Sequence, residues 1–227
     1  YLMVALSLVG LADDYLKIFK QRSTGIRART KLLGQAVAAL SFGYLAMQFP
    51  DEGGNVPVSN AISWVRDTDW ILPSALVLLW IWFLVTGITN GVNLTDGLDG
   101  LAGSISLVTF MFLGWWFLEA DLTSYSVFSF ILVGSVLSFL VYNWHPAKIF
   151  MGDTGSLSLG FALAVLTILF IDKNGTMANY EGWKFNAPIA SGIALLIIPI
   201  YDTSRIFIKR TLKGKSPMAP DKSHVHH

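Results

Sequence analysis

The sequence predicts an all-α protein whose helices cross a lipid bilayer several times. Of its 227 residues, 53% are hydrophobic and only 14% are charged, and the mean hydropathy is +0.56. An average soluble domain carries about a quarter charged residues, and disorder needs a still more polar chain. A membrane-spanning helix needs about 20 mostly apolar residues. Runs of about that length without any Asp, Glu, Lys or Arg cover Ile71–Thr95, Leu122–Ala147 and Thr154–Ile171.

The first apolar run, Tyr1–Ala12, is too short to cross a bilayer on its own. No basic stretch precedes it and no small-residue cleavage site follows it, so the pattern does not fit a signal peptide. We interpret the run as the end of a spanning helix whose beginning is missing. The chain is therefore expected to be a fragment that lacks earlier N-terminal spans and one helix after its terminal histidines.

Six complete spans follow this truncated one. Some contain Gly or Pro, which membrane helices tolerate better than soluble helices do. No internal repeat or linker divides the sequence, so residues 1–227 are predicted to form a single integral membrane domain. The predicted spans are Leu33–Gln48, Ile71–Val92, Leu101–Leu118, Ser124–Asn143, Ser156–Ile171 and Ala187–Ile208.

The loops between these spans alternate between the two sides of the membrane, and their charges differ. If Arg205, near the end of the last predicted span, is counted with the loops of one side, that side holds 13 of the 16 Lys and Arg. The other side holds only Arg66, Lys173 and Lys184 against eight acidic residues. The positive-inside rule therefore places the first side in the cytoplasm. The net charge of +1 gives no reason to expect a nucleic-acid partner. Tryptophans near the proposed outer boundary are Trp64, Trp70 and Trp183.

Four clusters of polar residues lie at predicted helix ends, and the alternation of loops places all four on the cytoplasmic side. A charge at membrane depth is costly and is a functional hypothesis by default. The clusters are far apart in sequence and did not enter the topology argument, so their shared side indicates one site. They are Asp13-Asp14, Asn93–Gly100 with Asp96 and Asp99, Asn143–Gly155 with Asp153, and His224-Val225-His226-His227.

Each cluster also has a simpler structural explanation. Asp13-Asp14 could begin a solvated loop; capping does not explain the pair, because a carboxylate at a helix C-terminus opposes the helix dipole. Asp96 and Asp99 would share a face of a helix, but Asp-Gly pairs also favour turns. Asp153 could cap the following helix or serve as an oxygen ligand for Mg²⁺. The histidines could belong to a purification tag, although the interposed valine argues against one.

Carboxylates and cations on one side of a membrane suit phosphoryl transfer. Mg²⁺ binds one or two carboxylates together with substrate phosphates, and lysine or histidine can offset the charge of a diphosphate. The sequence contains neither G-x-x-x-x-G-K-[ST] nor G-x-G-x-x-G, so an ATPase or a dinucleotide enzyme is not indicated. The cations on the same predicted side include Lys17, Arg29, Lys31 and Lys148.

These motifs, in this order, resemble the polyprenyl-phosphate N-acetylhexosamine-1-phosphate transferases, the superfamily that includes MraY, WecA and TagO. The resemblance runs from Asp13-Asp14 to the terminal histidines. It implies a multi-pass enzyme of the bacterial cytoplasmic membrane whose active site faces the cytoplasm. Such an enzyme transfers a sugar-1-phosphate from a UDP-N-acetylhexosamine to undecaprenyl phosphate, releases UMP, and uses Mg²⁺ or alternatively Mn²⁺. The resemblance also allows a homodimer.

The two halves of the chain resemble different branches of that superfamily. The motif from Asp13 to Lys17, the basic loop up to Lys31 and the Asn93-Leu-Thr sequence are similar to MraY, whose donor is UDP-MurNAc-pentapeptide. The tail from Asp221 onward is similar to WecA and TagO, whose donor is UDP-GlcNAc. Because the histidine loop is considered the sugar-reading part, we expect GlcNAc-1-phosphate transfer in cell-envelope polysaccharide synthesis. Formation of lipid I of peptidoglycan from the MurNAc-pentapeptide donor is the alternative.

Carried over residue by residue, the resemblance gives each cluster a role. Asp153 resembles the principal Mg²⁺ ligand. Asp13 resembles the residue proposed to deprotonate or position the lipid phosphate, with Asp14 beside it, and Phe150 resembles an aromatic that stacks on uracil. The implied catalytic set is Asp13, Asp14, Asp96, Asp99, His224, His226 and His227, and the implied substrate-binding set is Lys17, Lys31, Asn93, Asn143 and Phe150.

Two other classes of membrane protein are less well supported. A membrane prenyltransferase also pairs acidic motifs with Mg²⁺, but it would show D-x-x-x-D repeats inside two helices and needs no histidine loop. An ion-coupled transporter would bind its substrate near the bilayer midplane, between internal repeats. Here the carboxylates gather at one predicted side and no repeat is visible.

Overall fold

The computed structural model describes residues 1–21, 25–49, 61–63, 67–176, 184–212 and 214. The prediction of an all-α polytopic fold is confirmed, since helices make up most of the described residues. A short antiparallel pair of strands, β1 (Ala61–Ser63) and β2 (Asp67–Ile71), is an addition that the sequence did not predict. The described helices are α1 (Leu2–Ile18), α2 (Ala28–Gln48), α3 (Ser74–Thr95), α4 (Leu101–Glu119), α5 (Thr123–Asn143), α6 (Gly152–Thr176), α7 (Pro188–Leu195) and α8 (Ile197–Leu212).

Four of the described helices, α3 to α6, are long and apolar enough to cross a membrane. The bent pair of α7 and α8 raises the number to five if it counts as one span. The sequence predicted six complete spans, and the difference lies in α2. This helix covers the predicted span Leu33–Gln48, but Lys31, Gln35 and Gln48 lower its mean hydropathy below that of the other four.

The last predicted span, Ala187–Ile208, is not one continuous helix. The chain breaks at Leu196, where α7 and α8 meet with a bend of 72°. Pro199 explains the break, because it has no N–H to donate to the carbonyl of Leu195 and its ring would clash with that carbonyl. The hydroxyl of Thr109 on α4 donates a hydrogen bond of 3.3 Å to the Leu195 carbonyl instead. A side chain thus pairs a polar group that the helix cannot pair itself.

The described residues form two compact units. The first comprises Tyr1–Thr89 and Gly152–Phe161. Within it α1 packs against α2, and Gly10 of α1 lies so close to the backbone of Asp153 that any side chain there would collide with it. A hydrogen bond of 2.6 Å between the hydroxyls of Ser7 and Ser158 joins α1 to the beginning of α6. This close packing brings the end of α1 next to the first turn of α6.

The second unit comprises Asn90–Met151 and the described residues from Ala162 onward. Its core is the packing of α4 on α5, where the hydroxyl of Ser126 donates to the carbonyl of Gly114 at 2.9 Å. Aromatic rings fill the space beside these helices. The fully buried Trp116 and Phe170 meet edge to face, with their ring centroids 4.7 Å apart.

Candidate active site

Asp13 and Asp14 lie inside α1, which continues to Ile18 rather than ending with the apolar run at Ala12. Lys17 lies one turn after Asp13, and its ammonium contacts the Oδ2 of Asp13 at 2.5 Å. An acidic residue followed four positions later by lysine stabilises a helix, which explains why α1 continues through charged residues.

Asp13 is almost completely buried by the segment that follows α1. The residue is only 2% exposed, and its Oδ1 accepts a hydrogen bond of 2.7 Å from the backbone N–H of Ile26. Gly25 makes this approach possible: its φ is +56°, and a Cβ at this position would lie 2.5 Å from the Oδ1 of Asp13. Only glycine fits such a backbone conformation at such a short separation.

Asp14 caps the N-terminus of α6. Its carboxylate accepts hydrogen bonds from the backbone N–H groups of Asp153 (3.1 Å) and Thr154 (2.9 Å) and from the hydroxyl of Thr154 (2.6 Å). The first N–H groups of a helix have no partner within that helix, and a negative charge there also complements its dipole. The helix cap that the sequence allowed for Asp153 is thus supplied by Asp14 of α1.

Asp153 is 9% exposed and contacts two lysines from different helices. The ammonium of Lys17 lies 3.2 Å from its Oδ1, and the ammonium of Lys31, in the first turn of α2, contacts its Oδ2. Burial lowers the pKa of Lys17, but its bonds with Asp13 and Asp153 outweigh that effect, so the pKa lies above its ordinary value. Lys17 therefore stays charged at neutral pH.

Three carboxylates and two lysines thus form one cluster in the first unit, which we call the aspartate cluster: Asp13, Asp14, Lys17, Lys31 and Asp153. Oxygen atoms of its three carboxylates lie within 4.8 Å of one another. Two ammonium groups leave one negative charge uncompensated within the cluster. Closely spaced carboxylate oxygens with excess negative charge are what a hard divalent cation prefers.

A second polar group lies in the other unit, where α3 ends at Thr95 and the chain turns before α4. Asp96 and Asp99 lie in this turn rather than on a helix, which decides between the two alternatives that the sequence left open. The Oδ2 of Asp99 accepts hydrogen bonds of 3.0 Å from the backbone N–H of Ala147 and from Nδ1 of His145. The Ala147 N–H, and then His145, hold the pKa of Asp99 below its ordinary value.

Asn143, the last residue of α5, is 3% exposed and pairs both ends of its amide. Its Oδ1 accepts from the N–H of Gly100 at 2.9 Å, and its Nδ2 donates to the carbonyl of Ile149 at 2.8 Å. Phe150 follows directly and is 77% exposed. Asn93 lies half-buried in the last turn of α3, in the same unit.

The structure therefore places the sequence-predicted residues in two groups. Its first unit joins those of the aspartate cluster, and its second holds Asn93, Asp96, Asp99, Asn143 and Phe150. The predicted site residues His224, His226 and His227 lie outside the described residues, as do Trp64 and Trp183 of the predicted outer boundary, and of Trp70 only the backbone is described.

Three residues that organise these groups were not predicted from the sequence: Gly25, His145 and Thr154. Gly25 carried a weak signal, as a glycine between two basic stretches. His145 lies two residues after a predicted helix end and directly before a proline, and this local pattern does not predict its contact with Asp99, 46 residues away in sequence. Thr154 has no signal of its own, because its partner Asp14 is 140 residues away in sequence.

The second unit also contains a pocket of about 470 Å³ next to the helix break. Residues from α3, the turn after it, the beginning of α4 and α8 line the pocket, and most of them are apolar. Asp202 is the one acidic residue in this lining; it is 4% exposed, and its Oδ1 lies 3.8 Å from Arg205. The lining consists of Thr95, Leu98, Leu101, Ile197, Ile198, Tyr201 and Asp202.

Comparison with known proteins agrees with the motifs. The family model described as glycosyl transferase family 4 matches residues 1–171. The chain is 44% identical over 188 residues to a phospho-N-acetylmuramoyl-pentapeptide-transferase of Streptomyces coelicolor, an alignment that covers 74% of this chain and 52% of the relative. It is 43% identical over 192 residues to the protein of that name from a Nocardioides species, covering 74% and 53%.

A third relative of the same name comes from Beutenbergia cavernae. It is 38% identical over an alignment 254 residues long, which covers the whole of this chain and 66% of the relative. The chain spans about half the length of the Streptomyces and Nocardioides relatives. All three relatives carry the name of the transferase that acts on the MurNAc-pentapeptide.

Proposed function

The chain belongs to glycosyl transferase family 4, and from this we propose that its protein transfers phospho-MurNAc-pentapeptide from the UDP-linked donor to undecaprenyl phosphate. An oxygen of the lipid phosphate forms a new bond to the β-phosphorus of the donor. The bond between that phosphorus and the oxygen bridging to the α-phosphate breaks, and UMP leaves. The products are UMP and a lipid-linked diphosphate sugar.

The observation that carries this proposal is the aspartate cluster. Both substrates are anionic, so the site must bring negative charges together. Lys17 and Lys31 both contact Asp153 and are held by it at one point. Fixed cations of this kind stabilise charge that develops on a leaving phosphate, and they need no reorganisation during the reaction.

The cluster also fits Mg²⁺, with Mn²⁺ as the alternative. In this proposal Asp153 would hold the ion beside Asp13, while Asp14 stays engaged with the N-terminus of α6. When bound, the ion neutralises charge on the diphosphate of the donor. In the proposal the buried Asp13, whose Oδ1 accepts from the N–H of Ile26, orients the lipid phosphate or accepts its proton.

The membrane location follows from the same family membership and from the apolar helices. We place the protein in the bacterial cytoplasmic membrane with its site on the cytoplasmic side, because 13 of the 16 Lys and Arg lie on one predicted side. The apolar pocket beside the α7–α8 break supports a lipid acceptor, since its lining suits a hydrocarbon chain.

The identity of the UDP-linked donor is the most specific part of the proposal. The sequence tail led us to expect UDP-GlcNAc, whereas the relatives favour the alternative, UDP-MurNAc-pentapeptide. UDP-GlcNAc remains a second candidate because of the His224-Val225-His226-His227 spacing. A site that hydrogen-bonds one sugar leaves polar groups unpaired with another, so such a site can discriminate strongly between the two donors.

The experiment that decides is UMP release by the full-length protein, with each donor offered in turn with undecaprenyl phosphate and Mg²⁺. We expect release with UDP-MurNAc-pentapeptide and little or none with UDP-GlcNAc. The opposite preference would refute the donor and leave the reaction class in place. An Asp153→Asn variant serves as the negative control, because it removes the proposed anionic ligand of Mg²⁺ while keeping the side-chain volume.

A further inference from the structure

We infer that Asp99 is a positioning residue that anchors the loop Asn143–Phe150 and thereby fixes the ring of Phe150 for nucleotide binding. The inference rests on the proposed function, in which Phe150 stacks on the uracil of the donor. It assigns Asp99 a role through the loop rather than in the reaction itself. Asp99, the turn and the loop all belong to the second unit.

The shape of the loop is set by bonds within it and to the end of α5. The backbone N–H of Lys148 donates to the carbonyl of Tyr142 at 2.7 Å, and the amide of Asn143 donates to the carbonyl of Ile149 at 2.8 Å. These bonds fold the loop back onto the last turn of α5. They hold its conformation but attach it to no other element.

The attachment to a second element comes from the turn before α4. One oxygen of Asp99 accepts both the N–H of Ala147 and Nδ1–H of His145, each at 3.0 Å. The N–H of Gly100, the next residue, donates to the buried Asn143 at 2.9 Å. Hydrogen bonds to a charged acceptor are stronger than neutral ones, so Asp99 provides the main tether at the centre of the loop.

Phe150 needs such a tether because it is 77% exposed, which leaves little packing to fix its ring. An aromatic ring held in place binds a base with less loss of conformational entropy than a mobile one. The hydrogen bonds of His145, Ala147 and Lys148 therefore determine how firmly the ring of Phe150 is held before the nucleotide binds. Loss of the Asp99 tether should weaken nucleotide binding without removing any group from the reaction.

The test combines amide hydrogen exchange of the peptide covering residues 143–150 with the affinity for UMP, using the full-length protein. Asp99→Ala should speed exchange at Ala147 about tenfold or more, since a hydrogen bond to a charged group is lost. The same variant should weaken UMP binding and raise the KM for the UDP-linked donor by about tenfold, with a much smaller change in kcat.

Two further variants make the test specific. Asp99→Asn keeps an oxygen that can accept from Ala147 but loses the charge, so both effects should be smaller than with alanine. Asp121→Asn is the matched control, because Asp121 is an exposed carboxylate beyond the other end of α4. It should leave exchange, UMP affinity and turnover unchanged.

Unchanged exchange in Asp99→Ala would overturn the inference, even with a loss of UMP affinity, because Asp99 would then act by direct contact. Faster exchange with unchanged UMP affinity would also overturn it, since the loop would not govern binding. Wild-type protein that binds no UMP would contradict the proposed function instead. The exchange rates alone would then decide whether Asp99 anchors the loop.

Discussion

Replacing Asp14 with alanine tests how the aspartate cluster is built. The substitution removes the three hydrogen bonds that Asp14 accepts from the first turn of α6, two from backbone N–H groups and one from the hydroxyl of Thr154. Loss of an N-cap costs about 0.5–2 kcal/mol, and a hydrogen bond to a charged group is worth about 1.5–3 kcal/mol. Because the three bonds share one carboxylate, we expect a total loss of about 2–4 kcal/mol.

Thermal unfolding of the purified protein in detergent measures this loss. For a chain of this size, the expected cost corresponds to a Tm lowered by about 5–15 °C. Asp14→Asn keeps one acceptor oxygen and should lower Tm about half as much. Asp172→Ala is the matched control: its side chain is 52% exposed and lies near the opposite end of the same helix, so the Tm should stay within about 2 °C of wild type.

The rate of transfer separates positioning from direct catalysis. If Asp14 acts by holding Asp153, activity should fall in step with stability, and Asp14→Asn should keep a substantial fraction of it. An Asp14→Asn variant with wild-type Tm and no activity would refute this reasoning, because the carboxylate would then be needed in the reaction itself. An Asp14→Ala variant with wild-type Tm would show that the cap contributes nothing.

Three other perturbations have definite expected outcomes. Asp153→Asn should nearly abolish Mg²⁺-dependent transfer while leaving membrane insertion intact, and turnover near wild type at saturating Mg²⁺ would exclude it as a ligand. Gly25→Ala should reduce activity and Tm together, since its Cβ would lie 2.5 Å from Asp13 and φ is +56°; unchanged values would show that the segment relaxes freely. Single cysteines introduced at Lys215 and Glu181, in a chain without native cysteine, should react with a membrane-impermeant reagent from the cytoplasmic side and the outer side respectively. Labelling of both positions from the same side would contradict the predicted topology.

The helices were predictable because apolar runs of bilayer length have few other solutions in a membrane protein. The end of α1 was not predictable, because the point where an apolar run stops indicates where contact with the membrane ends and not where the helix ends. Asp13 and Lys17, four residues apart, favour continuation of the helix. The break between α7 and α8 had a visible cause in Pro199, but membrane helices often tolerate proline without breaking.

The candidate site was predictable in its residues and not in its contacts. Carboxylates at helix ends in a charge-poor chain indicate function, and on that ground Asp13, Asp14 and Asp153 could be named. Which groups each of these carboxylates contacts depends on the packing of α1 against α6. The contacting residues of these two helices lie about 140 positions apart in sequence. No local pattern reveals that Asp14 accepts from the backbone of α6 while Asp13 accepts from the backbone of Ile26.

Transfer of label from radiolabelled UDP-MurNAc-pentapeptide to undecaprenyl phosphate tests the central claim most directly. The full-length protein is incubated with both substrates, and label in the lipid extract is measured with Mg²⁺ and with EDTA. Labelled lipid should form with Mg²⁺, should require the acceptor, and should disappear with EDTA or with Asp153→Asn. Absence of labelled lipid under all conditions, with UDP-GlcNAc as well as with the pentapeptide donor, would contradict the proposed phospho-sugar transfer.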